Sequence, residues 1–289
     1  MSLVPMADLV TAARREGRGI GAFNVIQLEH AEAIVAGAEQ VGLPVVLQLS
    51  QNTADYHGAL APVALAVLEV ARTATVPTVV HLDHATRPDL VREAVALGIP
   101  SVMVDASTLP HDENVRTTAA LTTHCHEHGV WVEAELGEIG GKDGAHAPGV
   151  RTDPDEAAAF VGATGVDALA VAVGSSHAMT TRDARLDDDL ITRLAAAVPV
   201  PLVLHGSSGV PDDGLASAVR HGMVKVNVAT HLNAVMTRAV RDALDADPAL
   251  VDPRRYLGPG RAAVAAEVAR LLVVLSSGQD GSRDRRPHR

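Results

Sequence analysis

The feature that most constrains this chain is a strand-sized apolar run that recurs eight times, each copy followed by a stretch with helical spacing. The runs are 19–25 (GIGAFNV), 44–50 (PVVLQLS), 76–84 (VPTVVHLDH), 101–105 (SVMVD), 130–137 (VWVEAELG), 168–177 (ALAVAVGSSH), 199–209 (PVPLVLHGSSG) and 223–230 (MVKVNVAT). Short, β-branched and nearly continuous apolar runs read as strands buried on both faces. Helical spacing follows at 29–41, 61–74, 88–97, 112–128, 154–161, 188–197, 212–220 and 231–244, with Pro88 suited to a first helical turn. The stretch between Ser50 and Ala61 reads as a loop. Alternation of this kind describes an α/β fold, a single (β/α)8 barrel with parallel strands. A doubly wound open sheet would have fewer strands and a phosphate-binding glycine turn after the first, and GIGAFN does not supply one. One additional C-terminal helix is expected at 260–275. Residues 1–276 are therefore expected to form the barrel, and the polar, basic tail 277–289 to lack fixed structure.

Composition narrows the function. Hydrophobic residues make up 47% of the 289 positions, enough for a large core, but with two Phe, two Tyr and one Trp that core is aliphatic. A formal net charge of -11 argues against nucleic-acid binding, which needs a basic surface. The one cysteine, Cys125, cannot pair within the chain and suits a reducing cytoplasm. No basic flank leads into an apolar N-terminal segment, and no apolar run reaches about 18 residues, so neither a signal peptide nor a membrane partner is expected.

Polar residues gather at the C-terminal ends of the strands: Asn24, Gln48, Ser50, Asp83, His84, Asp105, Glu133, Glu135, His177, His205, Asn227 and Thr230. In a parallel barrel those ends share one face, where barrel enzymes carry their sites. Emergence of strands into solvent would account for some, Glu133 and Gln48 among them, but not for three strand tips that each present a histidine. His84, His177 and His205 are thus candidates for a three-imidazole metal site, a donor set that suits zinc and leaves positions open for substrate. At His84 the strand alternation relaxes and the ring can turn beyond the tip. His124, His126 and His128 lie on a helix with no strand tip nearby and read as a surface cluster.

An anion site is indicated independently. Gly206-Ser207-Ser208-Gly209 follows the seventh strand, and Asn227-Val228-Ala229-Thr230 closes the eighth and opens a helix. Backbone N–H groups in such a turn and at a helix N-terminus bind phosphate, and the loops after strands seven and eight are the usual address. Metal beside phosphate suggests a phosphorylated carbonyl substrate. Asp83 is placed for proton transfer, and the glycine-rich stretch 137–149 offers Glu138, Asp143 and His146 as a second acid or base on a closing loop.

HLDHA, EAELGEIGG, VGSSHA, LHGSSG and KVNVAT, in this order, resemble the class II, zinc-dependent fructose- and tagatose-bisphosphate aldolases, over residues 1–278. The resemblance implies that His84, His177 and His205 bind zinc, with Asp105 and Glu135 as carboxylates near the metal and Asp83 as proton donor. It implies a dihydroxyacetone phosphate pocket at Gly206, Ser207, Ser208, Asn227, Val228, Ala229 and Thr230, with Asn24, Gln48 and Ser50 lining the site. A monovalent cation such as Na+ or K+ near the phosphate is a further expectation. Arg254 resembles an arginine that in some members reaches the second phosphate from a neighbouring subunit, which implies a homodimer or homotetramer. Two departures stand out: Ala178 where the family usually has glycine, beside the phosphate pocket, and Asp143 where the lid usually carries a glutamate base. The implied reaction is reversible cleavage of fructose or tagatose 1,6-bisphosphate to dihydroxyacetone phosphate and glyceraldehyde 3-phosphate. The alternative is a related barrel with a zinc site that acts on another ketose phosphate, or as a low-activity partner subunit or sugar-phosphate sensor.

Overall fold

The computed structural model describes residues 2–136, 151–176, 179 and 181–276. Eight parallel strands close a barrel in sequence order: β1 (Ile20–Asn24), β2 (Val45–Ser50), β3 (Thr78–Ala85), β4 (Ser101–Val104), β5 (Trp131–Glu135), β6 (Ala168–Ala170), β7 (Leu202–Leu204) and β8 (Met223–Val228). The helices are α1 (Met6–Glu16), α2 (Leu28–Val41), α3 (Gln51–His57), α4 (Ala61–Thr73), α5 (Pro88–Ala96), α6 (His111–Glu127), α7 (Pro154–Thr164), α8 (Asp188–Ala197), α9 (Asp212–His221), α10 (Thr230–Ala246) and α11 (Pro253–Ser276). The (β/α)8 expectation holds, with the additional C-terminal helix.

Several elements differ from expectation. Helix α1 was not foreseen, although Met6, Leu9, Val10 and Ala13 follow the spacing of one helical face and are the residues it buries. The expected loop after β2 contains α3, whose first turn is capped by the Ser50 hydroxyl accepting from the Thr53 backbone N–H at 3.2 Å. Strands β6 and β7 are only three residues each; past β6 the apolar run Val171-Ala172-Val173 stays buried, and past β7 the buried His205 follows at once. Helix α11 begins seven residues before the expected start and passes through Pro259.

Two packing layers position the site. Between strands and helices lies the large aliphatic core, and α11 folds back over it against α2, α9 and α10. Its approach to α2 is close enough that a Cβ on Gly37 would lie 2.4 Å from the Ala265 carbonyl oxygen, so only glycine fits there. Inside the barrel, Ile20, Ala22, Val46, Val79 and Val224 pack against Met6, Leu9, Val10 and Ala13 of α1, which stops the N-terminal end. The N-terminal segment is held there by pairing with the start of β3 (Thr78 N–H to Ser2 O at 2.7 Å, Val4 N–H to Thr78 O at 3.1 Å). Trp131 fills the same end beside the small side chains Ala168, Ala170 and Ala172. The C-terminal end is left for polar groups.

Candidate active site

Parallel register aligns the strand tips. Asn24 sits beside Gln48, Gln48 beside His81, Ser50 beside Asp83, and Ala22 beside Asn227. Inward positions recur every second residue, so His81 and Asp83, Glu133 and Glu135, and Lys225 and Asn227 each share the barrel interior. His84 breaks that alternation. Its φ of +49° is left-handed, the sole such non-glycine residue among those described, and the β3–β4 pairing shifts register between Leu82 and Ala85. Left-handed backbone costs a non-glycine residue roughly 1–2 kcal/mol, and here it turns the ring toward the mouth.

At the mouth the His84 and His205 rings meet edge to face, with centroids 4.7 Å apart. One donor atom each of Asp83, His84 and His205 lies within 4.8 Å of the other two, and His84, Asp105 and Glu135 form an overlapping group. Both imidazoles are oriented by carboxylates. His84 Nδ1 is 2.6 Å from Asp105 Oδ2, and the other Asp105 oxygen accepts from the Ser107 hydroxyl at 2.6 Å. His205 Nε2 is 2.9 Å from Glu133 Oε1, and its Nδ1 faces Glu135 Oε2 at 3.7 Å. A carboxylate only accepts, so His84 carries its lone pair on Nε2 and His205 on Nδ1. Two imidazoles in carboxylate-fixed tautomers, with further carboxylates at hand, fit a divalent metal of the zinc type.

Asp83 is buried between two amides. Asn24 Nδ2 donates to its Oδ2 at 3.1 Å, and Asn227 Nδ2 approaches its Oδ1 at 3.5 Å. Gln48 Nε2 in turn donates to Asn24 Oδ1 at 3.0 Å. Burial works to raise the Asp83 carboxyl, but His84, His205, Lys225 and the Asn24 hydrogen bond outweigh it and hold the group below the ordinary carboxylate range.

Gln48 and Glu133 are therefore not strand residues emerging into solvent. Both are 0% exposed and bonded inside the barrel, which corrects that part of the expectation. Sequence reasoning also missed Lys225, which is 1% exposed and donates to Glu133 Oε2 and Asn227 Oδ1, both at 2.9 Å. A lysine in the middle of MVKVNV was the available signal. His81 is a further buried member, its Nδ1 2.7 Å from Ser101 Oγ. Burial first, and then the Lys225 ammonium, push its imidazole well below the ordinary range, so it is neutral.

The loops after β7 and β8 lie together. Ser207 donates to the Asn227 carbonyl, which ties one loop to the other. Ser208 Oγ accepts from the N–H groups of Ala229 (3.3 Å) and His231 (3.2 Å) at the head of α10, which leaves its hydroxyl proton to donate. Gly206 has φ of 67°, and a Cβ there would lie 2.6 Å from the Ser176 backbone, so the turn needs glycine. Ser175 donates to the His205 carbonyl at 2.6 Å and joins the turn after β6 to β7. Val228 is buried, and Thr230 begins α10.

Three expected site residues, His177, Ala178 and Asp143, lie outside the described residues, as do Glu138 and His146. Arg254 is turned to solvent in the first turn of α11, its side chain 90% exposed and paired with Asp252. The His124 and His128 rings meet at a tilt, centroids 4.7 Å apart, at the C-terminal end of α6, which faces the opposite end of the barrel from the strand tips, and His126 pairs with Asp167 at 2.9 Å. The buried Cys125 thiol is pushed up to about 11 by burial and then by Asp167, so it is no nucleophile. No helix among the described residues is long and apolar enough to cross a membrane.

Comparison with known proteins agrees with this geometry. The family model for fructose-bisphosphate aldolase class-II matches residues 4–280. The chain is 39% identical over 272 residues to the fructose-bisphosphate aldolase of Geobacillus stearothermophilus, covering 93% of this chain and 95% of that one. It is 37% identical over 268 residues to that of Staphylococcus aureus, covering 91% and 94%. Among solved structures it resembles the YdjI aldolase from Escherichia coli K12 (TM-score 0.84, 31% identity, 96% and 98% covered). It likewise resembles a putative fructose-1,6-biphosphate aldolase from Coccidioides immitis (TM-score 0.85, 31% identity, 94% and 96% covered). The eight-stranded barrel, the paired imidazoles at its mouth and a family match along nearly its whole length lead to one conclusion: the chain belongs to the class II fructose-bisphosphate aldolases, a family of lyases.

Proposed function

We propose that this protein is a zinc-dependent ketose 1,6-bisphosphate aldolase. In this reading it reversibly cleaves fructose or tagatose 1,6-bisphosphate to dihydroxyacetone phosphate and glyceraldehyde 3-phosphate. The observation that carries the reading is the convergence of Asp83, His84 and His205 within 4.8 Å, with both rings held in ligand-ready tautomers. His84, His205 and His177 would hold the metal, with Asp105 and Glu135 beside it. Bound zinc supplies Lewis-acid stabilisation of the charge that develops on the ketone oxygen as the C3–C4 bond breaks.

In the cleavage direction Asp83 accepts the proton of the C4 hydroxyl, and the C3–C4 electron pair stays with the dihydroxyacetone half. In condensation Asp83 returns that proton. Its two oxygens are held by Asn24 and Asn227, so the carboxylate is oriented before substrate arrives. Asp143 would exchange the proton at C3. The Ser208 hydroxyl, the 206–208 turn and the head of α10 would take the phosphate of the dihydroxyacetone half. A monovalent cation near that phosphate, a homodimeric or homotetrameric assembly through which Arg254 reaches a neighbouring site, and a cytoplasmic location complete the reading.

A substrate panel tests it. Purified protein stripped of metal should cleave neither bisphosphate, and added zinc should restore cleavage of at least one, releasing dihydroxyacetone phosphate. Turnover that is unchanged by chelation, or a zinc-loaded protein inert toward every ketose 1,6-bisphosphate, would overturn the proposal.

A further inference from the structure

Below the metal-donor cluster the barrel interior holds a buried chain of hydrogen bonds that crosses from β5 to β8. Lys225 Nζ donates to Glu133 Oε2 and to Asn227 Oδ1, both at 2.9 Å. The other oxygen of Glu133 meets His205 Nε2 at 2.9 Å, and the other end of the Asn227 amide faces Asp83 at 3.5 Å. Lys225, Glu133 and His205 are each no more than 1% exposed, so water does not compete for these bonds.

We propose that Lys225 is a positioning residue that sets the orientation of two groups at once, the His205 imidazole through Glu133 and the Asn227 amide directly. The inference rests on the reading of His205 as a metal ligand.

Donor and acceptor chemistry gives the chain its direction. An ammonium has donors only, so the atom of Asn227 that meets it is the amide oxygen, and the NH2 must point to Asp83. The same ammonium holds Glu133 as an acceptor on both oxygens, so His205 Nε2 carries the hydrogen and Nδ1 the lone pair. Without a fixed donor at Nζ, both the amide and the ring could reverse. Stability alone is a poor explanation for this pair. A buried ion pair offsets much of its attraction with desolvation, and replacing such a pair by apolar residues is often neutral. Both outputs of Lys225 instead lead to site groups: Glu133 meets the imidazole, and Asn227 meets the Asp83 carboxylate.

Two variants test this against a structural role. In Glu133→Gln the Lys225 ammonium draws the carboxamide oxygen to itself and turns the NH2 toward His205 Nε2, which forces the ring hydrogen onto Nδ1. Zinc affinity, measured by competition with a chromophoric chelator, should fall about 10–100-fold, the range for lost partners of metal-bound histidines. In metal-free protein the imidazole ¹⁵N shifts of His205 should report the opposite tautomer from the parent. In Glu133→Gln combined with Lys225→Met the carboxamide is released to turn its oxygen to His205, so most of the zinc affinity and the parental tautomer should return. A structural role predicts the reverse order, with the double variant worse than the single.

Parental affinity with an Nε2–H tautomer in Glu133→Gln would overturn the inference, as would a folded double variant no better than the single. If the double variant does not fold, the His205 tautomer in the single variant still decides. His205→Ala is the control. Retained zinc affinity there would overturn the metal reading itself, whereas its loss alongside an unaffected Glu133→Gln would overturn only the positioning role.

Discussion

The two halves of the barrel interior are built on the same strands and have opposite chemistry. Strand β1 carries Ile20 and Ala22 toward the closed end and Asn24 toward the mouth; β2 carries Val46 and then Gln48; β3 carries Val79 and then His81 and Asp83. The change takes one inward step, two residues or about 7 Å of strand. Below it, aliphatic side chains and the stopper helix α1 exclude water, and their contribution is transfer of apolar surface. Above it, equally buried groups are tied to one another by hydrogen bonds, which offset the few kcal/mol that burial of an unpaired polar group costs. The lower half is therefore explained by stability and the upper half by what it holds. Parallel topology makes this division possible, because it brings every C-terminal strand end to one face.

The division can be broken from either side. The largest effect is expected at Asp83. Asp83→Ala should lower kcat by about 10²–10⁴-fold through loss of the proposed proton-transfer group. Thermal melting should fall only modestly, since removal of an expensive buried carboxylate offsets the acceptor that Asn24 and Asn227 lose. Parental turnover in this variant would remove Asp83 from the chemistry.

From below, Leu9→Ala on α1 should destabilise the fold by about 2–5 kcal/mol, the range for truncating a buried leucine, as read from urea unfolding. Zinc content and turnover per folded molecule should remain parental. An equal loss of activity in the folded fraction would mean that the two halves are not separable.

A smaller effect is expected at the loop after β7, the proposed phosphate site. Ser208→Ala should weaken binding of dihydroxyacetone phosphate by about 1.5–3 kcal/mol, the value of a hydrogen bond to a charged group, with zinc content unchanged. Some loss of stability should accompany it, because the Ala229 and His231 N–H groups lose their acceptor. Unaltered binding would move the phosphate elsewhere.

The halves also differ in how legible they were. Eight apolar runs imply the barrel because a buried parallel strand needs no partner knowledge to be recognised. Helix α1 is equally legible in the spacing of Met6, Leu9, Val10 and Ala13, although Pro5 at its N-cap offers no side-chain cap. The strand-tip residues could be gathered on one face by topology alone. Their partners could not. Glu133 and Lys225 are 92 residues apart in sequence, and nothing local distinguishes a glutamate bonded across a barrel from one that meets solvent. The left-handed turn at His84 was legible only as a relaxation of alternation, since its cause is a register shift against β4.

Zinc stoichiometry per chain, measured by elemental analysis after dialysis, tests the central claim most directly. It should be compared in the parent, His84→Ala, His205→Ala and Leu9→Ala. The account predicts bound zinc in the parent and in Leu9→Ala, and its loss in both histidine variants while they remain folded. Full zinc in both histidine variants, or loss in Leu9→Ala as complete as in theirs, would contradict a metal centre confined to the polar half of the barrel.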